Sequence, residues 1–339
     1  MGELELIEQI RRASHPSQNK AITLGIGDDC AILRPPLDSE VLVTTDFTLE
    51  NRHFRRNTHP PESVGHRCLA RGLSDLAAMG ATPIAAFLSL ALPGSILAEK
   101  SGQAWISSFF KGLQALGQFH GVPLAGGDTS ESPANLILAD IVLLGSAPRG
   151  KALRRSGARS GDSLYVTGQL GGAAAELSAL LARRRRIVRI ATIDGHPHLF
   201  PEPRLDVGEA LLRRELATAC LDISDGLSTD LAHLCRASGV SAEIEQAALP
   251  IHPLARKLGP EGALKAVLHG GEDYELLFAA PAKLRMPGSI AGVSVTRIGR
   301  FLPKRSGNPM MTLLAPDGTR SPLEPGGWEH FSTRTKTRR

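Results

Sequence analysis

Apolar residues recur three and four apart in some stretches of this chain and run together or alternate in others, and these two habits mark its helices and strands. Leu4, Ile7 and Ile10 predict a short amphipathic helix over residues 3–13, ending before the polar segment Ser14 to Lys20. The β-branched run Val41-Leu42-Val43-Thr44-Thr45 predicts a strand that delivers Asp46 to its end. Beyond Pro60 and Pro61, Leu69, Leu73 and Leu76 keep helical spacing up to a stop at Gly80. Residues 84–92 read as a buried strand, 99–119 as a helix, 122–125 as a short strand running into Gly126-Gly127-Asp128, and 136–144 as a further strand.

Residues 148–162, rich in Gly, Arg, Lys and Ser, read as a linker. After it come a strand at 163–167, a glycine turn at 168–172, and helices at 173–181 and 207–216. A strand at 220–223 carries Asp222 at its end, and Ser224 or Asp225 would cap the helix at 227–237. His269-Gly270-Gly271-Glu272-Asp273 leads into a strand at 274–279, strands follow at 293–298 and 310–314, and the tail Pro325-Gly326-Gly327-Trp328-Glu329-His330-Phe331 reads as flexible. There is no strict βαβ rhythm and no short-period repeat. At 339 residues the pattern predicts an α/β (α+β) fold of two domains with mixed sheets, divided as 1–147 and 148–339.

Composition narrows the partners. With 42% hydrophobic and 22% charged residues the chain is of ordinary globular type. Its net charge of +5 is concentrated in Arg183 to Arg186 and in Arg334, Lys336, Arg338 and Arg339, and 4% aromatic content leaves little for base stacking, so no nucleic-acid partner is expected. Cys30, Cys68, Cys220 and Cys235 form no Cys-x-x-Cys pair, which argues against zinc or a disulfide framework and for a reducing, cytoplasmic location. Residues 1–10 are acidic where a secretory leader would be basic, and Leu6 stands where a myristoylation signal needs Ser or Thr. The run at 84–92 is far short of the roughly 20 residues of a membrane helix, so no membrane partner is expected.

The chemistry concentrates in Gly25-Ile26-Gly27-Asp28-Asp29-Cys30-Ala31 and four altered echoes of it. These are Thr44-Thr45-Asp46, Ser74-Asp75-Leu76, Gly126-Gly127-Asp128-Thr129 and Leu221-Asp222-Ile223-Ser224-Asp225-Gly226. One such carboxylate beside Gly, Ser or Thr is ordinary turn or N-cap chemistry. Five, each next to an apolar run, point to a convergent acidic site for hard cations. Like charges about 4 Å apart repel by about 4 kcal/mol at an effective dielectric near 20, and bound cations would offset that. Because Mg²⁺ is held by a few carboxylates plus substrate phosphates, the pattern points to a nucleotide-phosphate substrate. Asp75 falls off the apolar stripe of its helix, where it either faces a cleft or pairs with Arg71 one turn earlier. No phosphate loop, dinucleotide fingerprint, kinase catalytic loop or hydrolase elbow is present, so carboxylate-held Mg²⁺ would carry any phosphoryl transfer.

Six motifs in order carry a family resemblance: the Gly25 to Ala31 run, Thr44-Thr45-Asp46 with His53-Phe54 seven residues on, Ser74-Asp75-Leu76-Ala77-Ala78-Met79-Gly80-Ala81, Gly126-Gly127-Asp128-Thr129, Asp222-Ile223-Ser224-Asp225-Gly226-Leu227 and Gly270-Gly271-Glu272-Asp273-Tyr274-Glu275-Leu276. The sequence resembles the thiamine-monophosphate kinase family, of the superfamily that includes aminoimidazole ribonucleotide synthetase and selenophosphate synthetase, from about residue 3 to residue 331. The resemblance implies several Mg²⁺ ions on Asp29, Thr44, Thr45, Asp46, Asp75, Asp128, Asp222 and Asp225, with Asp46, Asp128 and Asp225 catalytic. It implies ATP contacts from Gly127, Asp128, Arg155 and Ser224, and thiamine monophosphate contacts from His53, Glu272 and Trp328. It also implies direct γ-phosphoryl transfer to thiamine monophosphate in a homodimer paired through its N-terminal sheets. The stretch Phe47-Thr48-Leu49-Glu50-Asn51-Arg52 departs from the small or apolar residues usual there, though the spacing to His53 is kept. On the residues alone, His53 also reads as a packed loop histidine, Glu272 as a cap or ion-pair partner, and Trp328 as a core anchor. A superfamily sister and a non-catalytic nucleotide-binding protein stay open on the same terms.

Overall fold

The computed structural model describes residues 2–14, 19–182, 194–329 and 331; the basic runs at 183–186 and 334–339, and His330, lie outside them. In chain order the first half forms α1 (Glu3–Ala13), β1 (Ile22–Leu24), β2 (Ile32–Leu33), β3 (Ser39–Leu49), α2 (Pro61–Ala78), β4 (Thr82–Leu92), α3 (Gly94–Ala98), α4 (Lys100–Phe119), β5 (Leu124–Glu131) and β6 (Leu138–Pro148). The second half forms β7 (Ser163–Thr167), α5 (Gly172–Ala182), α6 (Leu205–Arg213), β8 (Ala219–Asp222), α7 (Leu227–Ser238), β9 (Val240–Glu245), α8 (Pro253–Arg256), α9 (Gly259–His269), β10 (Leu276–Ala280), β11 (Ser289–Ile290), β12 (Val293–Pro303), β13 (Met311–Leu314) and β14 (Arg320–Pro322).

Two mixed sheets organise these elements. The first has the order β3-β6-β4-β5, antiparallel except for the parallel pair β4/β5. The second runs β14-β13-β9-β12-β7-β10-β8 with β11 on the side of β12, antiparallel except for β13/β9. This is the expected α/β class with mixed sheets. A hairpin of β1 and β2 lies against Ile84, Ala85 and Ala125 of the first sheet.

The helix α2 joins the two sheets. Pro61 opens it, where a missing N–H costs nothing and a fixed φ helps, and Gly80 closes it at φ +67. It packs on β3, β6 and α4 on one side and on α6 and β8 on the other. Its helix contacts are backbone to backbone. A Cβ on Gly65 would stand 1.8 Å from the carbonyl oxygen of Phe109, one on Gly112 1.9 Å from that of Glu62, and one on Gly208 1.9 Å from that of Ala77.

Along β3 the pleat sends alternate side chains to opposite faces. Leu42 and Thr48 are buried, and Thr44 and Asp46 share their side, turned to α2, while Val41, Val43, Thr45 and Phe47 stand on the outer face. That outer face is apolar and open, with Val43 61% and Phe47 59% exposed.

Several boundaries differ from those the pattern predicts. Asp46 lies inside β3 rather than at its end, because β6 pairs with the strand through Leu49. Gly126, Gly127 and Asp128 lie within β5, since β4 hydrogen-bonds alongside them; a Cβ on Gly127 would come 2.0 Å from the Leu88 carbonyl oxygen. The linker is docked, with Leu153 and Ala158 buried, Leu153 N–H donating to Met79 at 3.0 Å and Arg154 accepting from Cys220 N–H at 2.9 Å. β10 begins at Leu276, because Glu272 and Tyr274 take left-handed φ of 68° and 51° that a strand cannot use.

The backbone contact between α2 and α4 yields a stability prediction. Gly112→Ala forces a methyl onto the Glu62 carbonyl and should destabilise the fold by about 1–3 kcal/mol in urea unfolding, the scale of overpacking. Gly288→Ala, where nothing lies within 4 Å, serves as comparison. A loss at Gly112 no larger than at Gly288 would show that the two helices can part without cost.

Candidate active site

Three carboxylates from three elements meet beside α2: Asp46 of β3, Asp75 of α2 itself and Asp222 at the end of β8. Asp75 accepts a hydrogen bond from Thr44 Oγ1, Asp222 accepts one from Ser74 Oγ at 2.6 Å, and Arg71 Nη2 stands 3.3 Å from Asp46 Oδ1. Burial pushes Asp46 up to about 6, with Arg71 opposing and Asp75 adding to the rise. Burial likewise pushes Asp75 upward, and Asp222 is raised by burial and then by Asp75. Arg155, itself exposed, favours the charged forms of Asp75 and Asp222 from across the groove.

The direct partners of the trio are two hydroxyl groups and Arg71, with Arg155 acting from farther off. Among the described residues no three His, Cys, Asp or Glu side chains are spaced as a finished metal cage. Asp46, Asp75 and Asp222, with Thr44, are the oxygen donors here that a hard cation could use.

The other sequence-predicted acids are placed elsewhere. Asp128 aligns through Ser89 with Asp140 and Phe47, in one row across the first sheet, and it is exposed. Asp29 is exposed in the loop before β2, its N–H bonded to Asp28 Oδ1 at 2.8 Å. Thr45 points away from Thr44 by the pleat of β3. The expected single convergence is thus divided: a buried group at α2 and an exposed group around the sheet.

Asp225 and Ser224 lie in the loop between β8 and α7. The spacing predicts Ser224 or Asp225 as the cap of α7, but Gly226 occupies the cap position at φ 116, and the buried Asp230 accepts from the N–H groups of Asp225 and Gly226, both at 3.0 Å. Burial, with Asp222 and Asp225 adding to it, raises Asp230 to about 8. The loop before β10 runs alongside, Glu272 N–H donating to Ser224 at 2.8 Å and Tyr274 N–H to Ile223 at 2.9 Å.

Glu272 is bound by cations. Burial opposes its ionisation, yet Arg67, His198 and Arg71 together hold its carboxyl below the usual carboxylate range. Arg67 Nη2 donates to Oε1, His198 Nδ1 is 3.0 Å from Oε2, and Arg71 Nη1 is 3.9 Å from Oε1. Arg67 also donates from Nη1 to the His53 carbonyl at 3.0 Å. His53 Nδ1 accepts from Leu49 N–H at 2.9 Å, and its ring borders a cleft of about 180 Å³ lined also by Thr48, Phe54, Val64, Arg67 and Arg71.

The tail is pinned rather than flexible. Gly326 N–H donates to Ser228 Oγ and Gly327 N–H to Thr229 Oγ1, both at 3.1 Å, and Trp328 N–H donates to Asp225 at 2.9 Å. Its glycines permit close approach: a Cβ on Gly327 would stand 2.0 Å from the Asp225 carbonyl oxygen. Trp328 is 45% exposed, more than a core anchor would be, and lies beside the Asp222 to Gly226 loop.

Sequence reasoning missed Arg67, Arg71, His198, Ser74 and Asp230 as site components. Arg67 and Arg71 were visible as a helical series with Asp75, four residues apart each time; His198 gave no local signal.

The chain matches the model of the AIR synthase related protein, N-terminal domain, over residues 27–147, and of its C-terminal domain over residues 159–283. Thiamine-monophosphate kinase of Escherichia coli K12 is 39% identical over 319 residues, 92% of this chain and 93% of that protein. The crystal structure of thiamine-monophosphate kinase from Stenotrophomonas maltophilia K279a superposes with a TM-score of 0.79 at 35% identity, covering 95% of this chain and 98% of that one. AaThiL complexed with AMPPCP and TMP superposes with a TM-score of 0.73 at 32% identity, covering 97% of each chain.

The raised carboxyls make stability depend on pH in a stated direction. A carboxyl whose folded pKa lies above its unfolded one stabilises the protonated fold, and that contribution is lost as pH climbs through the folded value. Buried histidines such as His59, which burial lowers to about 3, act oppositely, so the measurement is a difference between parent and variant. Relative to Asp46→Asn, the metal-free parent should lose on the order of 2 kcal/mol between pH 4 and pH 7 in chemical denaturation. A difference that stays flat across this window would remove Asp46 from the buried acidic group.

Proposed function

We propose that this chain, which belongs to the thiamine-monophosphate kinase family of AIR synthase related proteins, phosphorylates thiamine monophosphate with ATP, giving thiamine diphosphate and ADP. The observation that carries this reading is the likeness to AaThiL complexed with AMPPCP and TMP, over 97% of both chains. AMPPCP is an ATP analogue whose terminal bridge resists cleavage, and its pairing with TMP matches a reaction between two bound phosphates.

The geometry supports direct transfer without a phosphoenzyme. In such a transfer the γ-phosphoryl group passes through a loose transition state, so positioning and charge neutralisation do most of the work. Asp46, Asp75, Asp222 and Thr44 would hold Mg²⁺ ions, which when bound would neutralise the charge of the transferring phosphates. Asp29, Thr45, Asp128 and Asp225 complete the ligand set from the exposed side, and Asp46, Asp128 and Asp225 stand nearest the chemistry. Gly127, Asp128, Arg155 and Ser224 bind the nucleotide; Arg155 brings a guanidinium toward the acids, and Gly127 leaves room where a side chain could not fit. His53, Glu272 and Trp328 form the thiamine monophosphate side. Trp328, half exposed next to Asp225, would face the cationic thiazolium ring.

Residues 1–147 would form the ATP- and metal-binding and dimerisation part, and residues 148–339 the C-terminal part whose tail closes the substrate site. The open apolar face of β3 supports a homodimer paired through this sheet, since contiguous exposed Val41, Val43 and Phe47 are costly in water. All four cysteines are free thiols, in keeping with a reducing cytoplasm.

Turnover is tested by ADP release in a coupled assay. ADP should appear with ATP, Mg²⁺ and thiamine monophosphate together, cease with EDTA, and return with added Mg²⁺. Asp46→Asn or Asp128→Asn should lower kcat by about 10²-fold or more while circular dichroism stays unchanged. ADP release independent of thiamine monophosphate, or undiminished in chelator, would refute the reading.

The dimer is tested by light scattering after gel filtration. The parent should run at twice the chain mass, and Val43→Lys, which places a charge in the open face, should shift it to the monomer. A monomeric parent would remove the pairing.

A further inference from the structure

Behind Glu272 lies a chain of hydrogen-bonding groups whose proton positions the geometry fixes. Arg67 Nη1 stands 3.0 Å from His198 Nε2, and a guanidinium can only donate, so Nε2 is the bare nitrogen of that ring. His198 therefore carries its proton on Nδ1, which lies 3.0 Å from Glu272 Oε2 without the alignment of a full hydrogen bond. His59 Nε2 is also 3.0 Å from His198 Nε2 and, facing an acceptor, must hold a proton. Its own Nδ1 accepts from Arg55 N–H at 3.2 Å and sits 2.8 Å from Thr58 Oγ1, which agrees. Both rings are buried, His59 2% and His198 1% exposed, and burial first of all keeps both neutral. Glu176 anchors the segment that bears His198 by accepting from the N–H groups of His198 and Leu199 at 2.8 and 3.3 Å.

The structure assigns to His198, its tautomer set by Arg67 and His59, the role of a positioning residue that orients the Glu272 carboxylate for thiamine monophosphate. The assignment rests on the reading of Glu272 as a substrate-side residue. Its physical basis is that Glu272 sits at a left-handed φ of 68°, in a loop without regular structure, so its side chain needs fixing from outside. Arg67 holds Oε1 and the His53 carbonyl and ties the two substrate-side loops to one another, while the His198 Nδ1–H dipole stands against Oε2 at 3.0 Å. A dipole that close to a buried charge is strong enough for its loss to be read in binding.

The test measures KM for each substrate in His198 variants. Turnover of thiamine monophosphate by the parent is established first, so that its absence defeats the functional reading and not this assignment. His198→Leu should raise KM for thiamine monophosphate about tenfold and leave KM for ATP within about twofold. His198→Asn, which keeps an N–H donor near the Nδ1 position, should recover most of that loss. In a Glu272→Gln background His198→Leu should add less than about twofold, because residues acting through one another are non-additive. His66→Gln provides the structural comparison, since His66 Nε2 docks the same segment on α2 through the Pro201 carbonyl at 2.7 Å; it should lower Tm without moving KM. Equal effects of Leu and Asn at position 198, full additivity with Glu272→Gln, an equal shift in KM for ATP, or a KM shift of the same size from His66→Gln would each overturn the assignment.

Discussion

A helix buried on nearly all sides that still carries charge must find partners for it inside the protein. In α2 the residues Arg67, Arg71 and Asp75 succeed one another at four-residue intervals, on one side of the helix. An unpaired charge in such a place costs several kcal/mol. Arg67 is met by Glu272, Arg71 by Asp46 and Glu272, and Asp75 by Thr44 with Asp222 nearby. These partners come from β3, from the end of β8 and from the loop before β10. The stripe is satisfied only when both sheets are in place, so joining the halves of the chain and assembling the site are one event.

The same burial has opposite results at the two ends of the stripe. Around Glu272 two guanidinium groups and a histidine overcome desolvation and keep the carboxylate ionised. Around Asp75 and Asp222 the direct partners are hydroxyl groups, which relieve desolvation only in part. A charge pair about 4 Å apart is worth about 4 kcal/mol at an effective dielectric near 20. Burial thus biases the carboxyls at the Asp75 end toward their neutral form, with Arg71 and Arg155 opposing, while the Glu272 end keeps an ionised carboxylate.

Periodicity disclosed α2 and α4 closely, because each is long and keeps helical spacing in its apolar residues. The site was legible in parts. Acid beside Gly, Ser or Thr marked Asp46, Asp75 and Asp222 correctly as neighbours, but it could not tell them from Asp128, since the face a strand residue takes depends on register with β4 and β6 rather than on local sequence. Spacing offered Asp75 a partner in Arg71 one turn away, whereas Arg71 turns to Asp46 and Glu272, which lie far off in the chain. The glycines before Trp328 look like freedom in sequence and serve tight docking in the fold. His198 was invisible, because its partners are residues 67, 59 and 272 and nothing adjacent predicts that meeting.

The alternation along β3 gives interleaved positions two different surroundings: Thr44 and Asp46 belong to the interior, Val43, Thr45 and Phe47 to the outside. A substitution can be confined to one of the two faces. An insertion or deletion of a single residue between 42 and 48 cannot, for it would turn valines and phenylalanine onto the guanidinium groups of α2 and carry the aspartate out to the surface. This strand is thus a reading frame in the strict sense, free to vary in its letters and closed to any change in their count.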